Sequence, residues 1–221
     1  MHVVVTGAAG ALGRAVVALL NANGHSVSGI DIAESLDVAG LTLAKPAVDL
    51  NDAEAVSVAV DDIAQTSGAI AGLVNIAGGF AWETIAEGSA DTWDRLYGMN
   101  VRSALNVCKA ALPHLADDAS IVNIGAGAAA RAALGMGAYA ASKSGVARLT
   151  EALAEELKDS AVRVNAVLPS IIDTPTNRAD MPDADFSAWV TGDEIAQVIA
   201  FLLSPKASGV TGALIPVSGR V

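Results

Sequence analysis

Thr6-Gly7-Ala8-Ala9-Gly10-Ala11-Leu12-Gly13 stands between a β-branched run, Val3 to Thr6, and an apolar helical pattern from Ala11 to Asn23. Glycines at 7, 10 and 13 let the chain turn sharply out of a strand, approach a phosphate closely and pack the next helix on that strand. The free N–H groups at the start of such a helix attract anionic oxygens. The spacing is G-x-x-G-x-x-G in place of the commoner G-x-G-x-x-G, so the reading rests on strand, turn and helix arriving in that order.

The same alternation continues outward from this stretch. Further strands are expected at Ser26 to Ile30, Ala47 to Asp49, Gly72 to Asn75, Ser120 to Ile124, Val162 to Val167 and Ala213 to Val217. Helical patterns fall at Asp52 to Gln65, Asp91 to Leu115, Tyr139 to Lys158 and Asp193 to Leu203. Several strands are apolar throughout, as expected when helices cover both faces of a parallel sheet. The expected fold is α/β: a single-domain Rossmann fold over residues 1–221, with a doubly wound parallel sheet of about seven strands and helices on both faces. Ser170 to Trp189 (170–189), with Pro175 and Pro182, is the least regular segment and is expected to act as a substrate loop or lid.

Composition excludes several classes. Thirteen Lys plus Arg against 24 Asp plus Glu give a formal charge of -11, and the few cations are scattered, so no nucleic-acid grip is expected. With 52% hydrophobic residues but only 4% aromatics, the core must be built from Ala, Val, Leu and Ile. No uninterrupted apolar run is long enough for a membrane span, and the apolar N-terminus lacks the basic region of a signal peptide. Cys108 is the single cysteine, and His2, His25 and His114 show no ligand-like spacing, so no metal site is expected and a cytoplasmic setting is the default.

Two ends of the sheet carry chemistry. The second strand ends in Asp31, eighteen residues after Gly13, where such units set an acid against the adenosine ribose hydroxyls. A carboxylate there repels a 2'-phosphate, and no arginine follows within thirteen residues, so NAD(H) is expected over NADP(H), with NADP(H) possible. Asp49 is a candidate for the adenine edge or for a helix cap. At the other end, Tyr139 and Lys143 lie four apart on one helical face. An ammonium beside a phenol is expected to lower the phenol's pKa, and such a tyrosine can exchange a proton with a substrate.

Taken together, Thr6 to Gly13, Asn75-Ile76-Ala77-Gly78, Asn100, Tyr139-Ala140-Ala141-Ser142-Lys143 and Pro169 with Thr174 resemble the ordered landmarks of the short-chain dehydrogenase/reductase family. The resemblance implies that Tyr139 is the acid/base, that Lys143 holds the nicotinamide ribose and tunes it, and that Asn100 anchors a water relay. It also implies that Asn75 steadies the sheet and that Thr6, Gly7, Gly10, Ala11, Leu12, Gly13, Ala77, Gly78, Pro169 and Thr174 meet the cofactor. Long apolar helices pair across a two-fold axis in that family, so a homodimer or homotetramer acting on a small molecule is expected.

One position departs from the pattern. The family usually places a carbonyl-binding serine about thirteen residues before the tyrosine, and here that residue is Ala126. The dihydropteridine reductase subgroup shares this departure and is similar in Gly10 to Gly13, Ala77-Gly78-Gly79-Phe80, Gly135-Met136, Asp173 to Arg178 and Met181 to Trp189. Asn75 and Asn100 look more like the wider family. The first expectation is an NADH-dependent reduction of quinonoid dihydropteridine, with Phe80, Trp82, Ala126, Asn177 and Trp189 as tentative substrate residues. Arg131 and Arg178 are further substrate candidates for which a solvated or ion-paired role is favoured. The alternatives are a conventional alcohol or ketone oxidoreductase and a non-catalytic NAD-binding regulator.

Overall fold

The computed structural model describes residues 1–221. Seven parallel strands form one sheet: β1 (His2–Thr6), β2 (Ser26–Ile30), β3 (Leu43–Lys45), β4 (Ile70–Asn75), β5 (Leu115–Ile124), β6 (Arg163–Pro169) and β7 (Leu214–Val217). Their spatial order is β3-β2-β1-β4-β5-β6-β7. The chain runs outward from β1 to β3, then returns to start the other half at β4. The crevice between the carboxyl ends of β1 and β4 is therefore the place where such a sheet opens to a ligand. There Thr6 pairs with Asn75.

Strand periodicity divides the interior. Val3 and Val5 face the cluster containing Leu12, Val16, Val17 and Leu20 of helix α1 (Ala11–Ala22) and Ile195, Ile199 and Leu202 of α7 (Gly192–Leu203). Val4 faces the opposite cluster, with Val56, Val60 and Ile63 of α2 (Ala53–Ser67) and Val107 and Ala111 of α4 (Ser103–Ala111). Helices α3 (Ala90–Tyr97) and α5 (Gly137–Glu156) complete the second layer, and short α6 (Pro175–Asp180) lies between β6 and α7. No helix is long and apolar enough to cross a membrane.

Three expectations need correction. The third strand lies at Leu43–Lys45, not at Ala47 to Asp49, because Ala47 has a φ of +55°, which turns the chain away from an extended path. The expected helix from Asp91 to Leu115 is broken: a π-helical turn at Gly98–Arg102 separates α3 from α4, a 3-10 turn follows at Leu112–His114, and Leu115 already opens β5. Ser170 to Trp189 is more ordered than its prolines suggest. Pro175 begins α6 at a first-turn position where its missing N–H costs nothing, and Thr174 caps the helix by accepting from the Asn177 N–H.

Candidate active site

The cradle at the β1–α1 junction follows from what its glycines lack. Gly7 has a φ of +66°, and a Cβ there would stand 2.8 Å from the Ala77 nitrogen; one on Gly13 would stand 2.1 Å from the Gly7 carbonyl oxygen. Only glycine lets the turn lie against the β4 end and α1 lie against the turn. The Thr6 hydroxyl accepts from the N–H groups of Ile76 and Ala77 at 3.2 and 3.3 Å and so ties the two strand ends together. Gly10 caps α1 without any side-chain partner, which leaves first-turn N–H groups free for an anion. Beside it a cleft of about 190 Å³ is lined by Ala11, Leu12, Ala15, Thr174, Asp173 and the start of α7. A dinucleotide fits this chemistry: anion donors, a close backbone approach and an open cleft.

Asp31 closes the far side of the cradle. Its two carboxylate oxygens accept from the Ala9 N–H at 2.8 Å and the Ala33 N–H at 3.0 Å, which fixes the acid against the glycine turn. Arg14 is brought to the same turn, with Nε donating to the Ala9 carbonyl at 2.9 Å and Nη1 to the Asp37 carbonyl at 3.3 Å. Its position seventeen residues ahead of Asp31 hides it from a search of the residues that follow the acid. Asp49 does not cap α2, since Asp52 holds that place; Asp49 accepts from the Asn51 N–H at 2.9 Å in a local turn.

The other half of the site converges on Tyr139 and Lys143. Lys143 is 6% exposed, and its Nζ donates to the Ile124 carbonyl at 2.9 Å, so β5 holds the amine in place. Gly78 leaves the room: a Cβ there would lie 2.5 Å from Asn100 Oδ1 and 3.5 Å from Lys143 Nζ. The expected lowering of the phenol does not occur. Burial pushes Tyr139 up to about 12 and Lys143 down to about 8, and with the ammonium 6.0 Å from the ring centroid its attraction does not offset desolvation. Near neutral pH the pair is a protonated phenol beside a largely charged amine, which suits a proton donor.

Asn100 sits in the π-helical turn with its whole amide engaged. Oδ1 accepts from the Gly79 N–H at 2.9 Å, while Nδ2 donates to the Gly79 carbonyl at 3.0 Å and to the Ser142 hydroxyl at 2.9 Å. Ser142 in turn donates to the Tyr139 carbonyl at 2.7 Å. Neither the serine nor the Ile124 carbonyl stands out in the sequence, since each acquires its partner only through the fold. Asn75 binds across the sheet, Nδ2 donating to Asn123 Oδ1 at 2.9 Å and to Cys108 Sγ at 3.3 Å; Asn123 continues to Thr150 at 2.9 Å.

The tentative substrate residues divide. Phe80 stands edge-on to Tyr139 with centroids 4.9 Å apart, and Trp82 lies over Gly135; both rings are more than half exposed, at 53% and 58%. Ala126, at 5% exposure, follows the end of β5 and presents no polar side chain. Asn177 and Trp189 do not join them. The Asn177 amide donates to the Ile172 carbonyl at 2.8 Å, and Trp189 is 3% exposed, packed on Phe186. Arg178 is bound to Asp173 by two bonds of 2.6 and 2.7 Å, which leaves it ion-paired, while Arg131 lies exposed. A larger cavity of about 390 Å³, between Glu83, Trp93 and Ala138, contains none of the candidate residues.

Residues 7–219 match the family described as enoyl-(acyl carrier protein) reductase. The 3-oxoacyl-(acyl-carrier-protein) reductase FabG of Pseudomonas aeruginosa is 33% identical over 97% of this chain and 94% of its own. The meso-2,3-butanediol dehydrogenase of Serratia marcescens is 32% identical over 98% and 92%. Among solved structures, a short-chain glucose/ribitol dehydrogenase from Brucella melitensis superposes with a TM-score of 0.90 at 35% identity over 99% of this chain and 95% of its own. The aldohexose dehydrogenase of Thermoplasma acidophilum superposes equally well, at 0.90 and 29% identity over 99% and 92%. With glycine cradle, central sheet and Tyr-Lys helix matched over almost its whole length, the chain belongs to the short-chain dehydrogenase/reductase family of nicotinamide-dependent oxidoreductases.

Proposed function

We propose that the protein is an NADH-dependent reductase that delivers hydride to a small conjugated acceptor, quinonoid dihydropteridine first among them. The observation that carries this reading is Ala126: beside a complete Tyr139, Lys143 and Asn100 set, the position that would polarise a simple carbonyl offers only a methyl group. An acceptor whose ring is already polarised needs a hydride and one proton, and no such partner. Bound nicotinamide supplies the hydride. Tyr139 holds the proton at its phenol oxygen, and Lys143, fixed by Ile124, stabilises the phenolate left behind. Phe80 and Trp82 offer exposed ring faces and edges that a flat heterocycle can cover. Asp31 takes the adenosine ribose, while Gly7 to Gly13 take the pyrophosphate. The 170–189 segment serves as a lid that excludes water. The protein acts in the cytoplasm.

The named relatives support a second reading, conventional alcohol or ketone oxidoreduction, since FabG and butanediol dehydrogenase are named for such substrates. NADH oxidation measured against quinonoid dihydropterin, quinones, acyl ketones and sugars separates them. Turnover of ketones with none of the dihydropterin overturns the first reading. Tight NADH binding with no acceptor turned over favours a non-catalytic regulator.

A further inference from the structure

The end of β7 and the residues after it hold both ends of the segment between β6 and α7. At the first end, the Ser170 N–H donates to the Val217 carbonyl at 3.2 Å and the Ser170 hydroxyl to the Ser218 carbonyl at 2.8 Å. At the second, the Arg220 N–H donates to the Ala188 carbonyl at 2.9 Å, and its guanidinium donates twice to the Ser187 carbonyl, from Nε at 3.2 Å and from Nη2 at 2.8 Å. Gly219 permits this close approach: its φ is +61°, and a Cβ there would stand 2.8 Å from the Ala188 carbonyl oxygen. The two ends are also bridged to each other, the Asp173 N–H donating to the Val190 carbonyl at 2.8 Å and the Val190 N–H to the Ile171 carbonyl at 3.2 Å. What lies between is cross-linked within itself. Arg178 pairs with Asp173 and stands 4.9 Å from the centre of the Phe186 ring, which packs on Trp189 at 4.8 Å. That cross-linking makes the segment one unit on two neighbouring roots.

We infer that Ser218 to Arg220 act as a strap that sets the pose of this segment, with Arg220 as a positioning residue for retention of the dinucleotide. The inference rests on the proposed lid role of residues 170–189. The link to the cofactor is a shared wall: Ile172, Asp173 and Thr174 at one root, and Thr191, Gly192 and Asp193 just past the other, line the cleft of about 190 Å³ beside the start of α1. Arg220 does not line that cleft and acts through Ser187 and Ala188. Loss of its side chain removes two bonds at one root, and the segment gains freedom to swing away from α1. A bound dinucleotide then escapes sooner, while Lys143 stays held by β5. An exposed guanidinium bonded to a carbonyl is a modest tether, which suits a segment that must still open.

The test needs no acceptor and compares the native chain with Arg220→Ala, Arg220→Lys and Gly219→Ala. Amide hydrogen exchange without dinucleotide is expected to quicken about three- to tenfold at residues 171–190 in Arg220→Ala, and at least as much in Gly219→Ala, while β1, β4 and α5 exchange as in the native chain. Dissociation of NADH and NADPH, followed by stopped-flow fluorescence, is expected to quicken by a similar factor. Arg220→Lys keeps one charged donor for the Ser187 carbonyl and is expected to recover part of both effects, and Tm in Arg220→Ala to fall by less than about 2 °C. Native exchange at 171–190 in Arg220→Ala and Gly219→Ala overturns the strap and leaves the lid reading standing. Faster exchange there with native dissociation of both dinucleotides shows a tethered segment that is no lid, and overturns the lid reading and the role of Arg220 together. Exchange that quickens throughout the sheet in Arg220→Ala, with a large fall in Tm, shows a general loss of stability and overturns the inference.

Discussion

Lys143 sets the pH response of the site. Its amine, lowered to about 8 by burial, is charged below that pH and neutral above it, whereas the Tyr139 phenol stays protonated until about 12. Reductive kcat/KM is expected to hold level below pH 8 and to fall above it, with Lys143→Arg removing that limb because guanidinium stays charged. A profile that rises through this range is incompatible with the assignment. Tyr139→Phe is expected to cost about 10²- to 10⁴-fold in turnover with NADH affinity almost intact, as read by single-turnover rates beside a binding titration. Ser142 is a positioning residue whose loss strands an Asn100 amide hydrogen in a buried place. Ser142→Ala is expected to lower kcat about tenfold, to leave KM for NADH nearly unchanged, to be rescued by Ser142→Thr and to add little in an Asn100→Ala background.

The element scale shows what periodicity and glycine can reveal and what they cannot. The glycine turn was legible because Gly7 and Gly13 are required by contacts that any Cβ would violate. Gly13→Ala is accordingly expected to cost about 1 to 3 kcal/mol, seen as a lower Tm, and to abolish dinucleotide binding. Strands with two buried faces announced themselves, but β3 is an edge strand of three residues with no fully buried side chain, and nothing local marks it against the neighbouring Ala47 to Asp49. The π-helical turn is equally hidden: residues 91–115 keep a helical pattern, and the extra residue per turn that delivers Asn100 to Gly79 shows only in the fold. Trp189 misled for a simpler reason. An aromatic in an irregular segment reads as a ligand platform, yet this ring is buried and packed on Phe186 of its own segment.

At the scale of the whole molecule, the apolar surface is uneven. Trp93, Tyr97 and Leu112 stay 41%, 49% and 37% exposed along the α3–α4 edge that packs beside α5. We expect these helices to pair about a two-fold axis in a homodimer or homotetramer, and sedimentation at micromolar concentration tests it: a monomer there is incompatible with the expectation. The acidic surface does not oppose this arrangement at moderate salt, where charges beyond about 10 Å are screened. On the proposed seating, the dinucleotide's pyrophosphate relies on the free N–H groups at the start of α1 against this repulsive background.

Cys108 gives this architecture a use of its own. The only thiol in the chain is fully buried in the core on the second face of the sheet, accepts a hydrogen bond from Asn75 and is pushed up to about 12 by its surroundings. A thiol in that state reacts with alkylating reagents only while the sheet has parted around it. The protein thus carries a single internal clock of its own opening, placed one hydrogen bond from Asn75 at the end of β4, the strand end against which the glycine turn lies. Any ligand that stiffens the crevice slows that clock without touching it.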